Sequence, residues 1–333
     1  MADQVVPEIS GVEIVEDSLL KLHPSVLRIL LQDKTTKRNI IWATKDYVSQ
    51  GEAYMEWCEI LPELVTGDHA FLIQPRSAKA KGDQTARTRD KAEVFTPSWV
   101  CNKQNNLVDE QWFGKAEVFN TETDQGWITN SQKIVFPNTG SKTWKKYVDT
   151  KRMEITCGEA PYLVSRYDTV TGNLIPVQER IGLLDRKLRV VSENTQDEEE
   201  WFNWVLRAYQ SVYGYEFQGD NLLLARENLF VSFIEYYRVQ FCKSPTLKQQ
   251  LRIANVISWN IWQMDGMKYV VPNSCTTEKI EEFTLFGSVF REIQCSGCEK
   301  GLIHKHNGIY CKVFDWRRER SLLFVSMMKG VQS

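Results

Sequence analysis

The sequence predicts an α/β protein with a mostly parallel sheet, and two observations predict it. Short runs that read as strands, centred on Met153-Glu154-Ile155, at Tyr213 to Phe217 and before Asp265, alternate with longer amphipathic runs. Composition is that of an ordinary globular chain, 42% hydrophobic and 25% charged over 333 residues. No run approaches the roughly 18 apolar residues that span a bilayer.

Taken in order, residues 1–74 read as an N-terminal α/β region. "SLLKLHPSVLRILLQD" has the pattern of a short helix, and "RNIIWATKDYV" and "DHAFLIQPR" those of strands. Residues 75–91 carry Arg76, Lys79, Lys81, Arg87, Arg89 and Lys91 against only Asp83 and Asp90. This stretch is either a solvated linker or a loop that contacts DNA phosphates. The main domain then runs over 92–333. It opens on "VFTPSWV", where Thr96 is a suitable N-cap and Pro97 a suitable first helical residue, and Trp99, Val100, Leu107 and Val108 recur at helical spacing.

After an irregular stretch, the strand at 153–155 leads through a turn at Gly158 into a candidate helix. In "DEEEWFNWVLRAYQSVYGYEF", Trp201, Trp204, Val205, Ala208, Tyr209 and Val212 share one helical face, and Glu198 to Glu200 sit where the helix dipole favours them. The strand at 213–217 follows, then helices at "NLLLARENLFVSFIEYY" and about Leu247 to Ile257, and then "SWNIWQMDG". No internal repeat is present.

The net charge of −2 gives no global attraction to nucleic acid or anionic lipid, so any such binding must be local. Met1 to Gly11 lacks a basic segment followed by an apolar one, so no signal peptide is expected. Eight scattered cysteines do not form a disulfide framework, and a reduced, cytoplasmic protein is the expectation. No GxSxG, P-loop or HExxH motif occurs.

Three positions could carry chemistry. The strand ending in "EITCGEAPYL" places Glu154, Cys157 and Gly158 where open α/β sheets bind ligands, outside the carboxyl ends of strands. Glu216 ends the next strand, where a carboxylate can pair with ribose hydroxyls, and Asp265 follows the third. Each also has a plain reading, as a strand–helix turn, a surface carboxylate and an Asp-Gly turn respectively.

Together and in this order these segments resemble the adenine-specific DNA methyltransferases of restriction–modification systems, the "subunit M" type. "VFTPSWV" is similar to that family's phenylalanine–threonine–proline helix start. "EITCGEAPYL" is similar to its cofactor loop, "YEFQGDNLLLARENL" to its second-strand segment and "IWQMDG" to its third. The resemblance covers about residues 90 to 270. It implies a Rossmann-like S-adenosylmethionine-dependent methyltransferase fold in which Phe95, Thr96, Pro97, Glu154, Cys157, Gly158, Glu216 and Asp265 line the S-adenosylmethionine pocket. Ala160 and Pro161 replace the glycine-rich end of the family's loop, so close backbone approach is less free there. The Asn-Pro-Pro-Tyr tetrapeptide that holds a flipped adenine in this family is absent from the 333 residues. The resemblance therefore implies a second protein subunit carrying catalysis and target recognition, or a non-catalytic relative that binds DNA or protein.

Finally, "CSGCEKGLIHKHNGIYC" places Cys295 and Cys298 in a CxxC with His304, His306 and Cys311 close by. Three thiolates and one imidazole would suit a structural zinc in a compact knuckle at 295–311. The alternative is a pair of free thiols. Redox chemistry has no thioredoxin-like context here.

Overall fold

The structure is a computed structural model that describes residues 16–79, 96–137, 140, 142–284 and 287–328. Helices α1 (Glu16–Leu22) and α2 (Pro24–Leu31) open it. The run expected as one helix is divided at His23-Pro24, where His23 caps α2 by accepting from the Ser25 amide. The two strands expected before residue 75 do not form. Residues 39–60 make only isolated bridges, Gln32 to Asn39 and Ile41 to Glu59, and residues 67–73 are 3₁₀ and turn structure. Residues 40–43 bond to residues 56–60 without making a continuous ladder, and on the other side Ile41 exchanges both backbone groups with the Gln263 side-chain amide (2.9 and 2.8 Å), so no further strand pairs there.

Helix α3 (Ser98–Phe113) follows, then a hairpin of β1 (Asn120–Thr123) and β2 (Gly126–Thr129), and α4 (Trp144–Asp149). Next comes the central unit: β3 (Arg152–Glu154), α5 (Leu183–Asn194), α6 (Glu198–Gln210), β4 (Val212–Glu216), α7 (Gly219–Phe241), α8 (Leu247–Asn260) and β5 (Ile261–Gln263). The three strands form one parallel sheet in the order β3-β4-β5. Parallel strands require crossovers, and the helix pairs α5–α6 and α7–α8 supply them. The chain ends with the hairpin β6 (Glu278–Thr284) and β7 (Gly287–Ile293), the short helix α9 (Ser296–Lys300), and the hairpin β8 (Lys312–Asp315) and β9 (Arg320–Leu323).

Side chains of the sheet alternate between two cores, as the pleat requires. Val212 and Ile261 enter the main core with the helices, whereas Tyr215 and Trp262 enter a smaller one with Val313 and Phe324. Helix α7 is buried along almost its whole length. Its Arg226 is fully buried and donates to the carbonyls of Leu30, Gln32, Ser258 and Ile261. One guanidinium thus ties α2, α8 and β5 together, and residues 19–73 contribute to the same main core as the sheet.

The helix expected directly after Gly158 is absent. Thr156, Gly158 and Ala160 all have positive φ (47°, 52° and 62°), which winds the segment into turns. The first crossover helix is α5 instead, whose Asp185 accepts from the Gly182 amide at its start.

Candidate functional site

The carboxyl end of the sheet gathers several of the expected residues. Gly158 donates its amide to Glu216 Oε2 (2.9 Å), which locks the loop after β3 against the end of β4. Glu216 Oε1 accepts from the Gln218 amide (3.2 Å). Burial pushes the Glu216 carboxyl above the ordinary carboxylate range, against the pull of these amides. Glu154 is buried too; its Oε1 accepts from the Tyr162 amide (3.4 Å), while Oε2 has no hydrogen-bond partner among the described residues. Burial raises this carboxyl well above its usual range, the amides of Tyr162 and Leu163 oppose it, and Glu216 adds to it. An acceptor left without a donor in a buried place costs about 1–3 kcal/mol, so a donor brought to Oε2 would recover that cost.

The loop between these acids is held firmly. Glu159 accepts from the Arg76 amide (2.7 Å) and from the Tyr167 hydroxyl (2.5 Å), and Asn228 donates to its carbonyl. Cys157 is buried and donates its amide to Tyr215 O (2.9 Å), with its thiol packed against Gly214 of β4. Gly158 has nothing within 4 Å of where a Cβ would stand, so the loop is open to one side there. Ala160 adopts the left-handed conformation that a glycine would take more cheaply.

Thr96 and Pro97 stand beside this loop. Asn105 of α3 donates to Tyr162 O and Ile181 O, and Thr96 lies against the Tyr162 hydroxyl. The helix begins one residue later than expected: Pro97 is at the N-cap position and Thr96 provides no cap. The cap comes from a distant residue, Asp168, whose Oδ2 accepts from the Ser98 amide (2.7 Å). Phe95 lies outside the described residues. Asp265 follows β5 at the same end of the sheet, but its Oδ1 accepts from the Met267 and Lys268 amides and its Oδ2 faces Lys268 Nζ (3.4 Å). It caps its own Asp-Gly turn.

Of the basic residues at 76–91, Lys81, Arg87, Arg89 and Lys91 lie outside the described residues. Lys79 is turned inward, with Nζ 3.7 Å from the fully buried Asp220, and Arg76 anchors the glycine loop through its amide. Both serve to fasten this segment.

The second site is a cluster of Cys275, Cys295, Cys298 and His306 that could hold a metal ion. Each of the three sulfurs lies 3.6 Å from His306 Nδ1, and the four ligand atoms are within 4.8 Å of one another. A tetrahedron with zinc–sulfur bonds of about 2.3 Å and a zinc–nitrogen bond of about 2.0–2.1 Å has nitrogen–sulfur edges of about 3.5–3.6 Å. The set therefore has the geometry of a closed structural site. The expected set is corrected in two members. Cys311 is fully buried in the smaller core, with its thiol directed to Gln263 O (3.3 Å), and His304 is exposed on a 3₁₀ turn and is not part of the cluster. Cys275 takes the third thiolate position from the segment that follows β5. It lies 20 residues before Cys295, so no short-range spacing reveals it.

Backbone groups shape the site. The Asn307 amide donates to Cys295 Sγ (3.3 Å), and the Asn307 side chain clasps the backbone of Thr276 on the other arm. Burial acts to raise the Cys295 thiol, but the amides of Asn307 and Cys298 outweigh it and bring it down to about 6. The His306 amide donates to the Tyr310 hydroxyl, which donates to Ile303 O.

No helix among the described residues is long and apolar enough to cross a membrane. Comparison with known proteins finds no matching family model, no matching curated protein and no matching solved structure.

Proposed function

We propose that this chain is an S-adenosylmethionine-binding subunit of a DNA adenine methyltransferase, with a Rossmann-like methyltransferase core and a structural zinc. The observation that carries the reading is the carboxyl end of the parallel sheet. There a strained loop after β3 is bonded through Gly158 to Glu216 at the end of β4, beside a buried Glu154 oxygen that has no donor among the described residues. Open α/β sheets bind ligands at this edge.

In this reading Glu154 accepts from the ammonium of the cofactor's methionine part and Glu216 turns toward its ribose hydroxyls. Gly158 gives the ligand its close approach, and Thr96 and Pro97 border the pocket. When bound, the cofactor supplies an electrophilic methyl group. The 333 residues hold no Asn-Pro-Pro-Tyr, so the reading assigns the grip on the flipped adenine to a second subunit. DNA as substrate rests on the resemblance of the motifs.

Calorimetric titration with S-adenosylmethionine tests the pocket. Micromolar binding by the native chain, weakened at least tenfold in Glu216→Gln, supports the reading. No heat and no thermal stabilisation at saturating cofactor overturns it and leaves the chain a binding module.

A further inference from the structure

We infer that the free edge of β3 is the docking site for an extended, acidic segment of a partner protein, which adds to the sheet as a fourth strand. The three-stranded sheet ends at β3, which pairs with β4 and with no other described strand. Arg152 donates to Ser211 O on the β4 side, so in the alternation of a parallel ladder Met153 directs its amide and carbonyl to the open edge; Ile155 lies just beyond the strand, and its carbonyl accepts from the Thr156 hydroxyl (2.7 Å). Met153 is 47% exposed, although this is a parallel sheet, a kind that is normally buried, and Ile155 just beyond the strand is 64% exposed. Beside them a cleft of about 280 Å³ is lined by Met153, Tyr213, Trp262, Leu322, Phe324 and Met327, between the sheet and the last hairpin. The edge therefore offers the two elements of strand addition: the unused backbone amide and carbonyl of Met153 at the centre of the strand, and an apolar trough for alternate side chains.

Charge selects the occupant. At the amino-terminal end of this edge Lys151, Arg152, Arg207 and Arg317 face Asp149 and Asp315. Asp149 is taken by Arg207, and Asp315 is shared between Arg318 and the charge of Lys151, while Arg152 and Arg317 form no ion pair with a described residue. The chain as a whole carries −2, so this local excess is a feature of the edge. A phosphate backbone would satisfy the charges but has no use for the ladder or the apolar trough. An acidic strand satisfies all three. In doubly wound sheets the ligand crevice opens where the strand order reverses, beside the first strand. A strand added at β3 would complete the other wall of the crevice at Glu154. This last step rests on the cofactor reading above; the docking edge itself does not.

The test uses a fluorescent, end-blocked octapeptide of alternating valine and glutamate, titrated by anisotropy into the full chain. Controls are an alternating valine–lysine peptide, the valine–glutamate peptide N-methylated at alternate residues, and single-stranded DNA. The expected result is saturable binding of the valine–glutamate peptide only, weakened at least tenfold in Met153→Pro, which removes an amide with no partner on an edge strand. Met153→Asp, which keeps the backbone and places a like charge on the edge, should weaken it similarly. Absence of binding overturns the proposal, as does equal binding of the lysine or N-methylated peptide. DNA binding in place of peptide, or a dimer in sedimentation that Met153→Pro abolishes, gives the edge to another occupant and also overturns it. The cofactor titration of the native chain is scored separately, so failure of either idea is visible without the other.

Discussion

Gly297 lies beneath His306: a Cβ placed on this glycine would stand 2.6 Å from both the His306 amide nitrogen and Nδ1. The middle of the Cys295–Cys298 turn must therefore be glycine for the imidazole to reach its three sulfurs. Gly297→Ala should displace the ring and weaken zinc retention by about 10–100-fold, the scale of changes to groups that orient ligands. Competition with a chromogenic chelator measures this directly. Unchanged retention would mean that the imidazole is not a ligand.

The assignment of Cys275 over Cys311 makes a second prediction. Cys275→Ser should lower bound zinc toward zero and cost thermal stability, because structural metal binding contributes folding free energy. Cys311→Ser should retain about one zinc per chain, since that thiol faces Gln263 O in the smaller core. Metal analysis of both purified variants separates the two sets. Retention in Cys275→Ser together with loss in Cys311→Ser would reverse the assignment.

The elements that could be read from sequence were those with their own periodic signal. Helices α6, α7 and α8 form where the spacing of Trp201, Val205 and Tyr209, and the apolar run of Leu222 to Tyr237, places them. The strand expected near Ile41 is reduced to isolated bridging with residues 56–60, and the one expected near Phe71 does not form, because apolar content alone does not supply a regular ladder. The α3 cap was misread by one residue because its acceptor, Asp168, lies 70 positions away. The metal site was half legible for the same reason: the CxxC and His306 are local, whereas Cys275 is brought in by the fold. Helix α5 was missed although its Leu183, Leu184, Leu188 and Val191 recur at helical spacing and are buried. That signal was available.

Burial makes Glu154 costly in the free chain. Its folded-state carboxyl is raised above the unfolded value of about 4.3, so the native chain keeps the proton over a range where the unfolded chain has lost it. Stability should therefore fall as pH rises through the window above about 4.3. Glu154→Gln removes that slope, and its carbonyl can still accept from the Tyr162 amide. At neutral pH the variant should melt higher than the native chain and bind S-adenosylmethionine more weakly. A lower melting temperature at neutral pH would show that the carboxylate is satisfied in the free chain.

Asp168 behaves in the opposite way. Burial tends to raise its carboxyl, but the amides of Ser98 and Thr171, with their hydroxyls, outweigh it and hold the group below the ordinary range. Its contribution is therefore fully present above the unfolded value of about 3.9 and is lost as pH falls through the lower folded value. Because Oδ2 caps the Ser98 amide while Oδ1 closes the 168–171 turn, Asp168→Ala removes both supports of the α3 start. The loss should be about 0.5–2 kcal/mol at neutral pH, the scale of an N-cap. Denaturant melts of the native chain and the variant should differ by that amount at pH 7 and converge as pH falls below about 3.9. A difference that stays constant down to the acid limit would show that the carboxylate charge is irrelevant and that the side chain acts through packing. Convergence together with weaker cofactor binding by Asp168→Ala at pH 7 would tie the cap to the pocket, because the helix start it fixes carries Thr96 and Pro97 against the glycine loop.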